Sequence, residues 1–133
     1  NQLRAGRDGK EYKGLLPAPT WTEEIVKRDG LVRDTVLEMK KLIRKYAWQT
    51  SKLAPYLKGN SVYETCHNIW NFLFTHINYK EDDEGKEQLR TPALSWEVRT
   101  SREIDCDDFT IFAGCLLFNL KIPFYIRIAR YRG

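Results

Sequence analysis

The chain has 133 residues and a mass of 15.7 kDa, with 42% apolar and 13% aromatic side chains, which supports one domain with its own core and excludes a disordered polypeptide. The net charge of +4 comes entirely from residues 121–133, where Lys121, Arg127, Arg130 and Arg132 meet no acid; the other residues carry 18 basic and 18 acidic side chains. A nucleic-acid partner is not expected, because that grip needs a basic face, and no apolar run nears the roughly 20 residues of a membrane span, so a soluble chain is expected.

Residues 1–20 mix glycines, charges and two prolines with neither helical nor strand period. They read as an extended arm, with Leu15 and Leu16 available to dock on the body. Thr20 and Glu23 have capping-box spacing, which predicts a short helix from Trp21 to Asp29, stopped by Gly30. From Leu31 the stripe Val32, Val36, Met39, Ile43 and Tyr46 predicts a longer helix, with Lys40, Lys41, Arg44 and Lys45 on its wet side. Pro55 and the Lys58-Gly59-Asn60 cluster close it.

Ser61 and Glu64 form a second capping box and open an aromatic-rich helix to Asn78. Its apolar stripe is Val62, Cys66, Ile69, Trp70, Leu73 and Ile77, flanked by Phe72 and Phe74, so burial on more than one side is expected. Residues 80–86 form a charged loop. Residues 87–104 have no sustained period, Pro92 interrupts them, and Trp96 is the one large anchor, a composition suited to an irregular active-site wall.

A third helix is predicted from Asp105 or Cys106 to Asn119, with Phe109, Phe112, Ala113, Leu116, Leu117 and Leu120 inward. Lys121-Ile122-Pro123 ends it, and Phe124 to Ala129 alternates at period two as a strand does. No clear partner strand precedes it. A lone strand leaves backbone groups unpaired, so the expectation is either a domain whose sheet is incomplete in this chain or pairing of residues 124–129 with another chain.

Asp105-Cys106-Asp107-Asp108-Phe109 is the one concentrated chemical signal. It sets a thiol in the first turn of a helix, where free N–H groups and the macrodipole favour thiolate, while three carboxylates beside it work against thiolate. The same residues are also ordinary helix-start chemistry, with Asp105 as N-cap and Cys106 as a small filler. A hard-metal site on Asp105, Asp107 and Asp108 is disfavoured because consecutive acids diverge around a helix. The cysteines Cys66, Cys106 and Cys115 make no CxxC, and their spacing to His67 and His76 suits no zinc site; an odd, sparse set reads as reduced thiols. Cys66 and Cys115 read as core. Either histidine could serve Cys106 as base if their helices pack together. Trp96 and Gln88 are candidate N–H donors to an oxyanion.

The stretch from Ser61 to Ile128, about half the chain, resembles the transglutaminase-like branch of the papain-like cysteine-enzyme superfamily, in its bacterial and phage forms, and the segments that carry the resemblance are CHNIWNFLFTHINYK, EQLRTPALSW and DCDDFTIFAGCLLFNLKIPFYIRI. The resemblance implies an α+β fold: a helical N-terminal half, an Arg-x-Pro segment, a Cys-led helix ending in a Gly-Ile-Pro-like turn, and the first strand of an antiparallel sheet. On that reading residues 21–133 are the N-terminal part of a single domain. Cys106 matches the nucleophile of acyl transfer or amide hydrolysis on a protein or peptide substrate, with no metal or organic cofactor. The family's His and Asp fall on strands beyond Gly133, and Ile104-Asp105 stands where the family usually has a Gly. The implied setting is cytoplasmic or virion-associated, with no signal peptide visible. The rival expectation is a catalytically inactive scaffold or virion-associated interaction module of the same fold.

Overall fold

The computed structural model describes residues 9–19, 24–27, 32–78, 87–101 and 104–126. It is mostly helical, with one two-stranded antiparallel ribbon. In chain order the elements are β1 (Glu24–Lys27), α1 (Val32–Tyr46), α2 (Ala54–Leu57), α3 (Val62–His76), β2 (Glu87–Arg90), α4 (Pro92–Glu97) and α5 (Cys106–Asn119), with single 3-10 turns at Lys10–Tyr12 and Ala47–Thr50.

The caps are set by local chemistry. Ser61 Oγ accepts the Glu64 N–H at 3.0 Å, and Glu64 Oε1 reaches back to the Asn60 N–H at 3.0 Å, a capping box whose return bond lands one residue earlier than usual. Thr91 caps α4 from the extended region, and Pro92 takes the first helical position, where a missing N–H costs nothing. At the end of α5 the Ile122 N–H bonds Leu117 C=O at 3.0 Å and the Lys121 N–H bonds Phe118 C=O at 3.1 Å, a Schellman closure. Its left-handed residue is Lys121, with φ 59°.

Helix α5 is apolar around most of its circumference and lies between two hydrophobic clusters. On one side Phe112 and Leu116 join Leu53, Leu57, Ile69, Phe72, Leu73, Ile77 and Ile104. On the other, Ile111 and Cys115 join Met39, Leu42, Ile43, Ala47 and Leu89. Gly114 lets α1 come close: a Cβ there would stand 2.5 Å from Ile43 Cδ1. Two side-chain amides, one buried and one half-buried, tie the layers together. Asn119 Nδ2 donates to Thr50 Oγ1 and to the Cys115 C=O, and Gln49 Oε1 accepts the Ala93 N–H at 2.9 Å. Leu15 and Leu16 pack against the larger cluster, as the arm's composition suggests.

Four sequence expectations need correction. Within the helix expected over Trp21–Asp29, Glu24–Lys27 is a strand, paired in the register Glu24↔Arg90 and Lys27↔Glu87; the rest of that span lies outside the described residues. The stretch 87–104 is not an irregular wall, since it holds β2 and α4. A strand pair does precede the C-terminal segment, whose Phe124–Ile126 is in neither a helix nor a sheet, while residues 127–129 lie outside the described residues. Finally, α3 is rotated relative to its hydrophobic stripe. Thr65, Ile69, Phe72, Leu73 and His76 are buried, whereas Val62, Cys66 and Trp70 are exposed. Among the described residues no helix is long and apolar enough to cross a membrane.

Candidate active site

The site is built on the first turn of α5. Asp105, in the extended region, caps it: one carboxylate oxygen accepts the N–H groups of Asp107 at 3.1 Å and Asp108 at 3.2 Å. This is the N-cap role expected of Asp105. Cys106 is then the first helical residue, and its side chain is exposed. Its Sγ stands 3.9 Å from Asp107 Oδ1, and its carbonyl accepts the Thr110 hydroxyl at 2.9 Å.

The third acid points the other way. Asp108 is fully buried, with Oδ1 accepting the Arg90 N–H at 2.7 Å and Oδ2 pairing with Arg90 Nη1 at 2.8 Å. The end of β2 is thereby bolted to the turn that carries Cys106. Just upstream, the Ile104 N–H bonds the Asn78 C=O at 2.9 Å, and the Asn78 N–H bonds the Arg99 C=O at 3.1 Å, so the approach to the cysteine is fastened to the residues that follow α3 and α4. Asp105, Asp107 and Asp108 thus serve a cap, a half-exposed surface and a buried ion pair. Among the described residues no group of three His, Cys, Asp or Glu side chains is placed to hold a metal.

Trp96 lies in an aromatic cluster. Phe72 stacks on it with ring centroids 5.3 Å apart, the Arg99 guanidinium lies 4.0 Å above the ring, and Tyr12 and His76 present edges at 6.2 and 5.9 Å. His76 is buried there, while His67 stacks on Tyr63 at the surface of α3. The structure therefore gathers His76 with Trp96, and it separates the two histidines. Gln88 is in β2 opposite Val26, and its side chain is outside the described residues. Cys115 is core, as expected: it is buried, its thiol pushed up to about 12 by burial, with Sγ 3.8 Å from the Ile43 carbonyl oxygen. Cys66, expected in the core, is exposed and lines an open groove of about 350 Å³ between α3 and α5. Ile69, Trp70, Leu73 and Phe74 form one wall, and Phe109, Thr110, Ala113 and Leu117 the other. The α5 wall begins three residues beyond Cys106, on the same helical stripe.

The sequence reading missed the Arg90–Asp108 pair and the Thr91 cap. The second had a usable signal, since Thr-Pro before an apolar run is a cap followed by a first-position proline. Compared with family models, with curated proteins and with solved structures, the chain matches none.

Proposed function

We propose that Cys106 is the nucleophile of a transglutaminase-like, papain-superfamily thiol enzyme that acts on amide carbonyls of a protein or peptide. One observation carries this reading: an exposed cysteine occupies the first position of a helix whose opening turn is immobilised from both sides. Asp105 caps it from in front, and the buried Asp108–Arg90 pair anchors it from behind. A nucleophile needs access, and it also needs a fixed approach, because misplacement by about 1 Å costs on the order of 100-fold in rate. The backbone N–H groups of the turn add positive potential towards a thiolate and towards an oxyanion formed beside it.

The chemistry is thiolate attack on the carbonyl carbon, forming a C–S bond. The C–N bond of the tetrahedral adduct then breaks, and the amine leaves with a proton delivered by a general acid. Water or a second amine resolves the thioester and returns the thiolate. The groove between α3 and α5, whose α5 wall starts at Phe109, supplies an apolar bed for the substrate in this reading. Neither described histidine is assigned as the general base in this reading, since His76 sits in the aromatic cluster and His67 stacks on Tyr63 at the surface.

The exposed Cys66 provides an internal reference for the test. Iodoacetamide at pH 6–7, followed by peptide mass mapping, is expected to modify Cys106 at least tenfold faster than Cys66. Equal rates at the two exposed thiols overturn the nucleophile and favour the non-catalytic module.

A further inference from the structure

Between the arm, α2 and α3 lies an open pocket of about 350 Å³, a size that holds one small organic ring. Helix α3 lines it with Asn68, Asn71 and Thr75, which recur every three or four residues and so share one stripe of the helix. The arm adds Tyr12 and α2 adds Tyr56, while the buried Phe72 and His76 also border the space.

Hydrogen-bonding capacity is concentrated here and largely unused. The hydroxyls of Tyr12, Tyr56 and Thr75 and the amide of Asn71 make no hydrogen bond among the described residues. Thr75 does not even bond back to the carbonyl one turn earlier, as helical threonines commonly do. Asn68 Nδ2 donates to the Leu57 C=O at 3.0 Å, which orients the amide and leaves Oδ1 as an acceptor. Burial, with a smaller push from Glu11, raises the Tyr12 phenol, so its O–H stays a donor.

The lining also states what the ligand is not. No Lys, Arg, Asp or Glu side chain lines the pocket, so a phosphate, carboxylate or ammonium group meets no counter-charge there. A flat heterocycle lacks parallel walls, because the rings of Tyr12, Phe72 and His76 meet one another at angles between 59° and 88°. What remains is a neutral ligand whose polar groups both donate and accept, as the three hydroxyls and the Asn71 amide do. An alcohol has that property, and a ring bearing several alcohols has it in every direction.

We propose that this pocket binds a neutral sugar, one pyranose unit. Its hydroxyls bond to Asn68 Oδ1, to the Asn71 amide and to the hydroxyls of Thr75, Tyr12 and Tyr56, and its C–H face lies against the tyrosine rings. The site is separate from Cys106 and does not depend on the role of that thiol.

The test is a ligand-observed NMR titration of the full chain with the methyl β-pyranosides of glucose, galactose, mannose and N-acetylglucosamine, and with glucuronate and glucosamine as charged counterparts. At least one neutral glycoside is expected to bind, at least tenfold more tightly than either charged sugar. Asn71→Ala, Thr75→Val and Tyr56→Phe, which keep the shape of the wall, are each expected to weaken it at least threefold. Cys106→Ser is expected to leave it unchanged. The matching free sugars separate two sources of the same unit: equal binding of glycoside and free sugar supports the end of a glycan, and tighter binding of the free sugar supports a small metabolite. Absence of binding by every neutral sugar, binding indifferent to all three substitutions, or equal binding of glucuronate overturns the proposal. Binding of N-acetylglycine N-methylamide in place of the sugars does so too, and assigns the pocket to a peptide backbone.

Discussion

Arg90 holds Asp108 by two routes at once, a backbone N–H at 2.7 Å to one carboxylate oxygen and a guanidinium Nη1 at 2.8 Å to the other, with the side chains only 3% and 0% exposed. Such a pair fixes geometry more than it adds stability, since desolvation offsets most of the attraction. Removing one partner is another matter. Asp108→Asn leaves a guanidinium charge buried, and Arg90→Met leaves a carboxylate so. Each is expected to cost about 3 kcal/mol or more, read as a lower urea midpoint with unchanged slope. The double variant Arg90→Met/Asp108→Leu is expected to recover part of the loss. If the single variants unfold at the wild-type midpoint, the pair is not structural.

Cys115 gives stability an alkaline limb. Its ordinary pKa of 9.0 is raised to about 12 by burial, so between those values the folded chain keeps a proton that the unfolded chain has released. Stability from this group is full below pH 9 and falls as pH rises, at a limiting slope of about 1.4 kcal/mol per unit. Cys115→Ala is expected to be less stable at pH 7 because of the cavity, yet flatter above pH 9. Some slope remains above pH 10, because burial, with help from Glu11, also raises Tyr12. An unchanged alkaline limb in Cys115→Ala refutes the assignment.

Lys121 occupies the left-handed position of the α5 closure, with φ 59°. A Cβ in that conformation costs roughly 1–2 kcal/mol, which glycine avoids at some cost in unfolded-chain entropy. Lys121→Gly is therefore expected to raise stability by about 0.5–1 kcal/mol. Thermal unfolding checks this, with the exposed Lys58→Gly as the control expected to show no gain.

The start of the described arm makes one close approach that a side chain would block. Gly9 has φ 71°, and a Cβ there would stand 2.5 Å from Trp96 Cη2. Gly9→Ala is expected to unseat Lys10–Tyr12 and cost about 1–3 kcal/mol. Limited proteolysis should then cut the arm before the body is digested. Wild-type resistance in this variant shows that the arm does not depend on the Trp96 contact.

What the sequence made legible is what short-range chemistry controls. The Ser61–Glu64 box and the Asp105 cap are bonds between neighbours, and both helices begin where those residues place them. The α5 core was legible because the helix is apolar all round. The ribbon was not, since Glu24–Lys27 finds its partner sixty or more residues away, and a capping-box spacing nearby argued for a helix. Between Glu87 and Glu97 a four-residue strand and a six-residue helix are both too short to show a period. The α3 face was misassigned because hydrophobicity alone ranks Cys66 and Trp70 above Thr65 and His76, whereas the structure buries the latter pair. The Asp108–Arg90 pair joins residues eighteen apart, and nothing in the local pattern marks it.

Because α5 supplies side chains to both hydrophobic clusters, neither can come apart while the other persists. Native-state hydrogen exchange should therefore find the amides of Ile111, Phe112, Cys115 and Leu116 opening together, and only through global unfolding. On this organisation the middle of α5 is expected to open with the whole fold, so that loss of exchange protection at Ile111–Leu116 and loss of the thiol's setting at Cys106 coincide.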